Sequence, residues 1–117
     1  VSMIKKFDIF KKASLINYNS TNKLMEKLKK EIQSVVGIYK SGNLEKAELL
    51  TKKLINSNPK IVFLYNLLGL ILVDQGKNDQ AMKYYEEGIK IDPAFAMIYN
   101  NIGFLLFKNK TENKIKI

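Results

Sequence analysis

The sequence predicts an all-α protein built from repeated helical hairpins, with a further helix at its N-terminus. Three observations carry that expectation. A shift of 34 residues lays Gly42 on Gly76, Ala47 on Ala81, Pro59 on Pro93, Tyr65 on Tyr99, Gly69 on Gly103 and Leu72 on Leu106. Asn66 falls on Asn100 by the same shift. Between these markers, apolar residues recur at the three- and four-residue spacing of a helix face. The composition, 46% apolar and 26% charged over 117 residues, is that of a chain able to bury one core.

The N-terminal segment comes first. Met3, Phe7, Phe10 and Ser14 stand at helical spacing, with Ile4, Ala13 and Ile16 beside them and Lys5, Lys6, Lys11 and Lys12 between. This predicts a basic amphipathic helix. Three uses are open to it: capping the first repeat, lying on a membrane surface, or docking into a groove. Asn17, Asn19, Ser20, Thr21 and Asn22 then predict a polar hinge.

The first hairpin follows the same logic as the second but less cleanly. Gly42 ends one helix, Asn43 caps the next, and Ala47, Leu50 and Leu54 face inward. In the second unit, Ile61–Asp74 is apolar almost all round, so that helix is expected to be buried on several sides. Gly76 terminates it, because glycine tolerates the left-handed conformation. Asn78 is the expected N-cap of the next helix, which buries Ala81, Met82, Tyr85 and Ile89. Pro93 stops that helix and disfavours it at Asp92. A glycine inside a helix costs about 1 kcal/mol relative to alanine. Keeping one at the same phase, Gly69 and Gly103, implies close approach of a neighbouring helix, with Ala81 as the matching small surface. Tyr65, Tyr85 and Tyr99 are expected to fill the space around it. A last helix spans Ala94–Lys108.

With the first repeat position set at Leu28, Val62 and Ala96, this pattern resembles the tetratricopeptide repeat. Tyr65, Leu68, Gly69, Leu72, Ala81, Tyr85 and Pro93 fall where that family keeps an aromatic, Leu, Gly, a large apolar residue, Ala, an aromatic and Pro. Gly88 stands where Ala is usual. The first unit is degenerate, with Glu31, Ser34 and Val35 in its first helix. The third keeps Tyr99, Ile102, Gly103 and Leu106, then runs into Lys110, Thr111 and Glu112 with no turn glycine. The resemblance covers about residues 28–108. It implies a right-handed helical-hairpin solenoid of about two and a half repeats. The expected organisation is an N-terminal helix and hinge at 1–19 and an array at 20–108. The array's units are 28–61, 62–95 and a partial 96–108, and a basic tail occupies 109–117.

The resemblance also places a binding surface. The first helices of successive units line a concave groove that takes a peptide or helix. By position, that groove is formed by Lys29, Ile32, Val36, Tyr39 and Lys40, then Phe63, Asn66, Leu70, Val73 and Asp74, then Met97, Asn100, Asn101, Phe104, Phe107 and Lys108. It is apolar with lysines at its edges. Asn66 and Asn100 either hydrogen-bond a bound backbone or solvate the helix surface. A clamp for C-terminal carboxylates is argued against, since Ile32, Val36, Leu67, Met97 and Asn101 occupy its positions and only Asn101 is polar. The run Asn100-Asn101-Ile102-Gly103 is similar to repeats that precede some glycosyltransferase and sulfotransferase domains. That leaves a second reading, a scaffold or targeting segment of a longer transferase. The many apolar faces of the last helix leave a third, a homodimer through Ala94–Lys108 or through the N-terminal helix.

Composition excludes much chemistry. All 20 basic residues are lysines, and Arg, His, Cys and Trp are absent. Thiol nucleophiles, histidine bases and Cys/His zinc sites therefore have no residues to use. Glu86 and Glu87 are neighbours on a helix and point to different sides. No catalytic residue, cofactor or metal is expected, and protein–protein interaction is the expected activity. The net charge of +9 sits at the ends: +6 over residues 1–30, zero over 31–107 and +3 over 108–117. Neutral repeats without arginine argue against specific nucleic-acid binding. The longest apolar run, Ile61–Val73, is interrupted by Asn66 and too short to cross a bilayer. The cytoplasm is the expected location.

Overall fold

A computed structural model describes the backbone of residues 2–115 and the side chains of residues 20–112. Its described residues form five helices and no strand: α1 (Ser2–Lys40), α2 (Leu44–Ser57), α3 (Val62–Asp74), α4 (Asn78–Ile91) and α5 (Ala96–Ile115). The chain divides into two units, residues 1–34 and 35–117, and the repeats' core belongs to the second. The division falls inside α1 rather than at the expected boundary after residue 19. The expected hinge at 17–22 is helix. Asn, Ser and Thr each cost a helix only a few tenths of a kcal/mol, and the segment holds no Gly or Pro to break it.

Two hairpins close by the same turn. The Gly42 N–H donates to the Tyr39 carbonyl at 3.0 Å and the Asn43 N–H to Ile38 at 3.3 Å. The Gly76 N–H donates to Val73 at 2.9 Å and the Lys77 N–H to Leu72 at 2.8 Å. Both are Schellman turns, which place a left-handed residue just past the helix and satisfy its last carbonyls. Gly42 and Gly76 have φ of +90° and +79°, the region that favours glycine.

The helix starts differ. The Asn43 side chain accepts from the Lys46 N–H at 3.3 Å and caps α2 as expected. Asn78 does not cap α4. Lys77 holds the cap position without a side-chain bond, and Asn78 donates instead to Asn109 Oδ1 on α5 at 2.9 Å. The repeat shift explains this, because Lys77, not Asn78, is the counterpart of Asn43.

The prolines open matching turns. Ile61 N–H donates to the Asn58 carbonyl and Phe95 N–H to Asp92, each across a Pro at the second turn position. The Pro59 and Pro93 carbonyls accept from the hydroxyls of Tyr65 and Tyr99, both at 2.8 Å. Tyr99 is therefore held at its own turn, stays 46% exposed, and does not fill the space around Ala81.

α3 is the centre. It packs on α2, α4 and α5, and every residue from Leu64 to Gly69 is buried. Leu68, Leu72, Val73, Ala81, Tyr85, Ile98 and Leu105 form the core cluster. A Cβ on Gly69 would run into the Tyr85 ring, 2.6 Å from its Cδ1, and one on Gly88 would meet Ile98 and, at 3.3 Å, Tyr65. Gly69 thus receives a tyrosine ring from α4, whereas Gly88 receives the Ile98 side chain of α5 and the Cβ of Tyr65. In the first unit the bulk is exchanged: Val35 and Thr51, both buried, stand one repeat before Gly69 and Tyr85. The Thr51 hydroxyl donates back to the Ala47 carbonyl at 2.7 Å, so the smaller polar side chain carries its own partner.

The last helix differs most from expectation. It begins at Ala96 and continues through the expected tail to Ile115. Around Gly103, among the described residues, nothing lies within 4 Å of where a Cβ would be. The close approach expected there is absent.

Gly69→Ala should lower stability by about 1–3 kcal/mol, since Tyr85 is fully enclosed and has nowhere to shift. Urea unfolding followed by helix circular dichroism measures it.

Candidate functional site

The residues assigned to the groove separate into distinct sets. Met97, Asn100 and Phe104 on α5 are exposed, and Val36, Tyr39, Phe63, Leu70 and Asn101 are half-buried. Asn66 and Val73 are buried, so neither presents itself to a ligand; Leu67 is buried as well. Lys40, Asp74 and Phe107 are exposed and Lys108 half-buried. Lys29, exposed, and Ile32, half-buried, belong to the first unit.

Asn66 meets neither of the two roles expected of it. Its Oδ1 accepts from Asn101 Nδ2 at 2.7 Å, which ties α3 to α5. A buried amide needs such a partner, because an unpaired one costs the full desolvation of the group. Asn101, assigned to the binding surface, thereby acts within the packing.

A second tie of the same spacing joins the end of α1 to the end of α3. The Tyr39 hydroxyl donates to Asp74 Oδ2 at 2.6 Å. Both ties link residues 35 apart, one repeat plus one position. Both residues were assigned to the groove singly; their pairing carries no one-dimensional signal until the period is known. Burial, then the hydrogen bond to Asp74 and its negative charge, push the Tyr39 phenol up to about 12. Burial also raises Tyr85, aided by the charges of Tyr39 and Asp74.

Away from this face, Glu48 on α2 accepts from Lys52 at 2.7 Å and from Lys77, in the turn before α4, at 3.1 Å. The bond from Lys52 is the largest cause holding the Glu48 carboxyl below its usual value. The bond from Lys77 fastens one hairpin to the next, whereas the one from Lys52 lies within α2. Among the described residues, the charged side chains of α3 and α5 are Asp74, Lys108, Lys110 and Glu112.

Phe63 and Leu70 on α3, with Met97, Asn100 and Phe104 on α5, therefore offer apolar area with one free amide. Such a set binds by burial and shape, with Asn100 able to donate and accept once each to a peptide backbone. Among the described residues no helix is long and apolar enough to cross a membrane.

The family model described as TPR repeat matches residues 69–110, from the middle of α3 through α4 and most of α5. No curated protein matches the chain.

Two predictions follow from the ties. Asn101→Ala should cost about 1–3 kcal/mol by leaving Asn66 Oδ1 without its donor, read as a lower urea midpoint. Tyr39 holds its proton more tightly folded than unfolded, since its folded value of about 12 exceeds the ordinary 10.0. Its contribution is complete below pH 10.0 and is lost as pH rises towards 12. Tyr39→Phe should cost about 1 kcal/mol at neutral pH, low because the pair is open to solvent. It should also flatten the fall in unfolding free energy over that alkaline window.

Proposed function

From a chain that belongs to the tetratricopeptide-repeat family through residues 69–110, we propose a protein-interaction module that holds a peptide or helix against α3 and α5, without catalysis. The single observation that supports this most is the exposed apolar surface of α5 beside half-buried Phe63 and Leu70, with Phe104 63% exposed. Monomeric proteins rarely leave large side chains clustered in this way unless something binds them. The contact residues are Val36, Tyr39, Phe63, Leu70, Met97, Asn100 and Phe104. Asn66, Val73 and Asn101 support them from within. The partner is a protein or peptide, and the cytoplasm is the compartment we assign. Asn101 commits its amide to Asn66 and so supports the surface from within.

A second reading is self-association through α5. Leu106 is 54% exposed although its counterpart Leu72 is fully buried, and Phe107 is 69% exposed.

The groove is tested with peptides selected for binding to the chain from a random displayed library. Phe63→Glu with Phe104→Glu should weaken a selected peptide by about 2 kcal/mol or more, roughly 30-fold, while the helix signal stays unchanged. Binding that survives both changes would place the site elsewhere.

A further inference from the structure

Asp74 is the one charged residue of α3, and it stands where a helix tolerates negative charge least. It is the last residue of that helix, at the negative end of the helix dipole. The repeat makes the anomaly plain. A shift of 34 lays Asp74 on Lys40 in one direction and on Lys108 in the other. Lys40 ends α1 with the charge that a C-terminus favours. Only the middle unit carries the opposite sign.

Among the described residues Asp74 forms no ion pair. The next lysine along the chain, Lys77, turns to Glu48 instead. What Asp74 has is the Tyr39 hydroxyl, which donates to its Oδ2 at 2.6 Å. A phenol is a neutral donor, so this bond holds the carboxylate in place without cancelling its charge. Nor does the bond need that charge. In the parallel tie of the same spacing, a neutral amide, Asn66, accepts from Asn101. The charge at position 74 is thus surplus to the packing role. The side chain stays exposed, and Oδ1 takes no bond among the described residues. Phe63, Leu70 and Asp74 are seven and four residues apart and share one side of α3, with Leu70 one turn from the carboxylate. A residue that breaks a local rule while exposed, held in position and set beside an apolar surface has the marks of a functional position.

Resting on the peptide-binding reading above, we propose that Asp74 pairs with a cationic side chain, lysine or arginine, that the bound peptide carries beside the apolar residue it seats on Leu70. Lys40 and Lys108 set the limit of that pairing. They hold the equivalent positions of the neighbouring first helices, and their charges repel a second cation. The peptide that fits is apolar with one basic residue, not a basic run.

The test uses residues 1–117 and peptides selected for binding to them from a random displayed library. Selected peptides should be enriched in Lys or Arg at one position next to an apolar residue. Asp74→Asn keeps an oxygen for the Tyr39 hydroxyl, so its helix content should be unchanged. A selected peptide should bind that variant about threefold to fivefold more weakly, the range of an exposed ion pair. Exchanging the peptide's cation for Glu should weaken binding to the parent, and Asp74→Lys should restore it, a reciprocity that a purely structural role would not give. Acetylating the peptide's amino terminus should change nothing; a loss would assign the cation to the terminal amine and overturn the side-chain pairing. If no peptide is selected, or if the peptides are indifferent to Phe63→Glu with Phe104→Glu, the groove reading falls and this pairing with it. Peptides that need the groove yet bind Asp74→Asn as tightly as the parent overturn the pairing alone. Affinity that climbs with each added lysine overturns the fit to a single cation.

Discussion

The seating of the Tyr85 ring on Gly69 governs this structure. It lets α3 and α4 approach until Leu72 and Ala81 are both fully buried. Only a residue without Cβ admits the ring there. The cost of that glycine inside a helix is offset by an aromatic side chain withdrawn wholly from water. The Gly76 turn supplies the register, since a hairpin closed one residue earlier or later would rotate the glycine away from the ring. Around this contact the other helices take their places. α2 and α5 pack on the remaining sides of α3, and the polar ties at Tyr39–Asp74 and Asn66–Asn101 fix the first helices of neighbouring units.

The first hairpin solves the same problem with other residues. Where the second has glycine facing tyrosine, it has Val35 and Thr51. Volume moves from one helix to the other while the position remains buried. Sequence degeneracy in that unit is therefore a redistribution of bulk rather than a loss of packing.

The hairpins, their glycine turns and proline starts were legible because each is marked by residues whose backbone restrictions are local. The Asn43 cap and the buried Ala47, Ala81 and Tyr85 were legible for the same reason. What escaped was nonlocal. Asn66 looked like surface because an asparagine on an apolar helix usually points to water; only Asn101, one repeat away, makes its burial tolerable. Asn78 looked like a cap because its residue type favours caps, yet Asn109 takes its amide. The hinge at 17–22 and the tail after Lys108 were misplaced because polar residues weaken a helix by small increments and end it only with help from a breaker. In the candidate site, Phe104 and Phe107 of α5 are exposed, whereas Asn66 and Val73 belong to the packing beneath it.

The architecture also bears on how the chain reaches its fold. The α3–α4 contact lies between segments joined by a turn of only a few residues, so the most enclosed part of the molecule costs little loop entropy to form. Pairings between close neighbours in sequence make for rapid folding. The Gly76 hairpin is thus the natural nucleus, with α2 and α5 condensing on it from either side. Among the described residues, Ile98 and Leu105 are the fully buried side chains of α5, so that helix is held less firmly than α4 and opens before the Gly76 hairpin does.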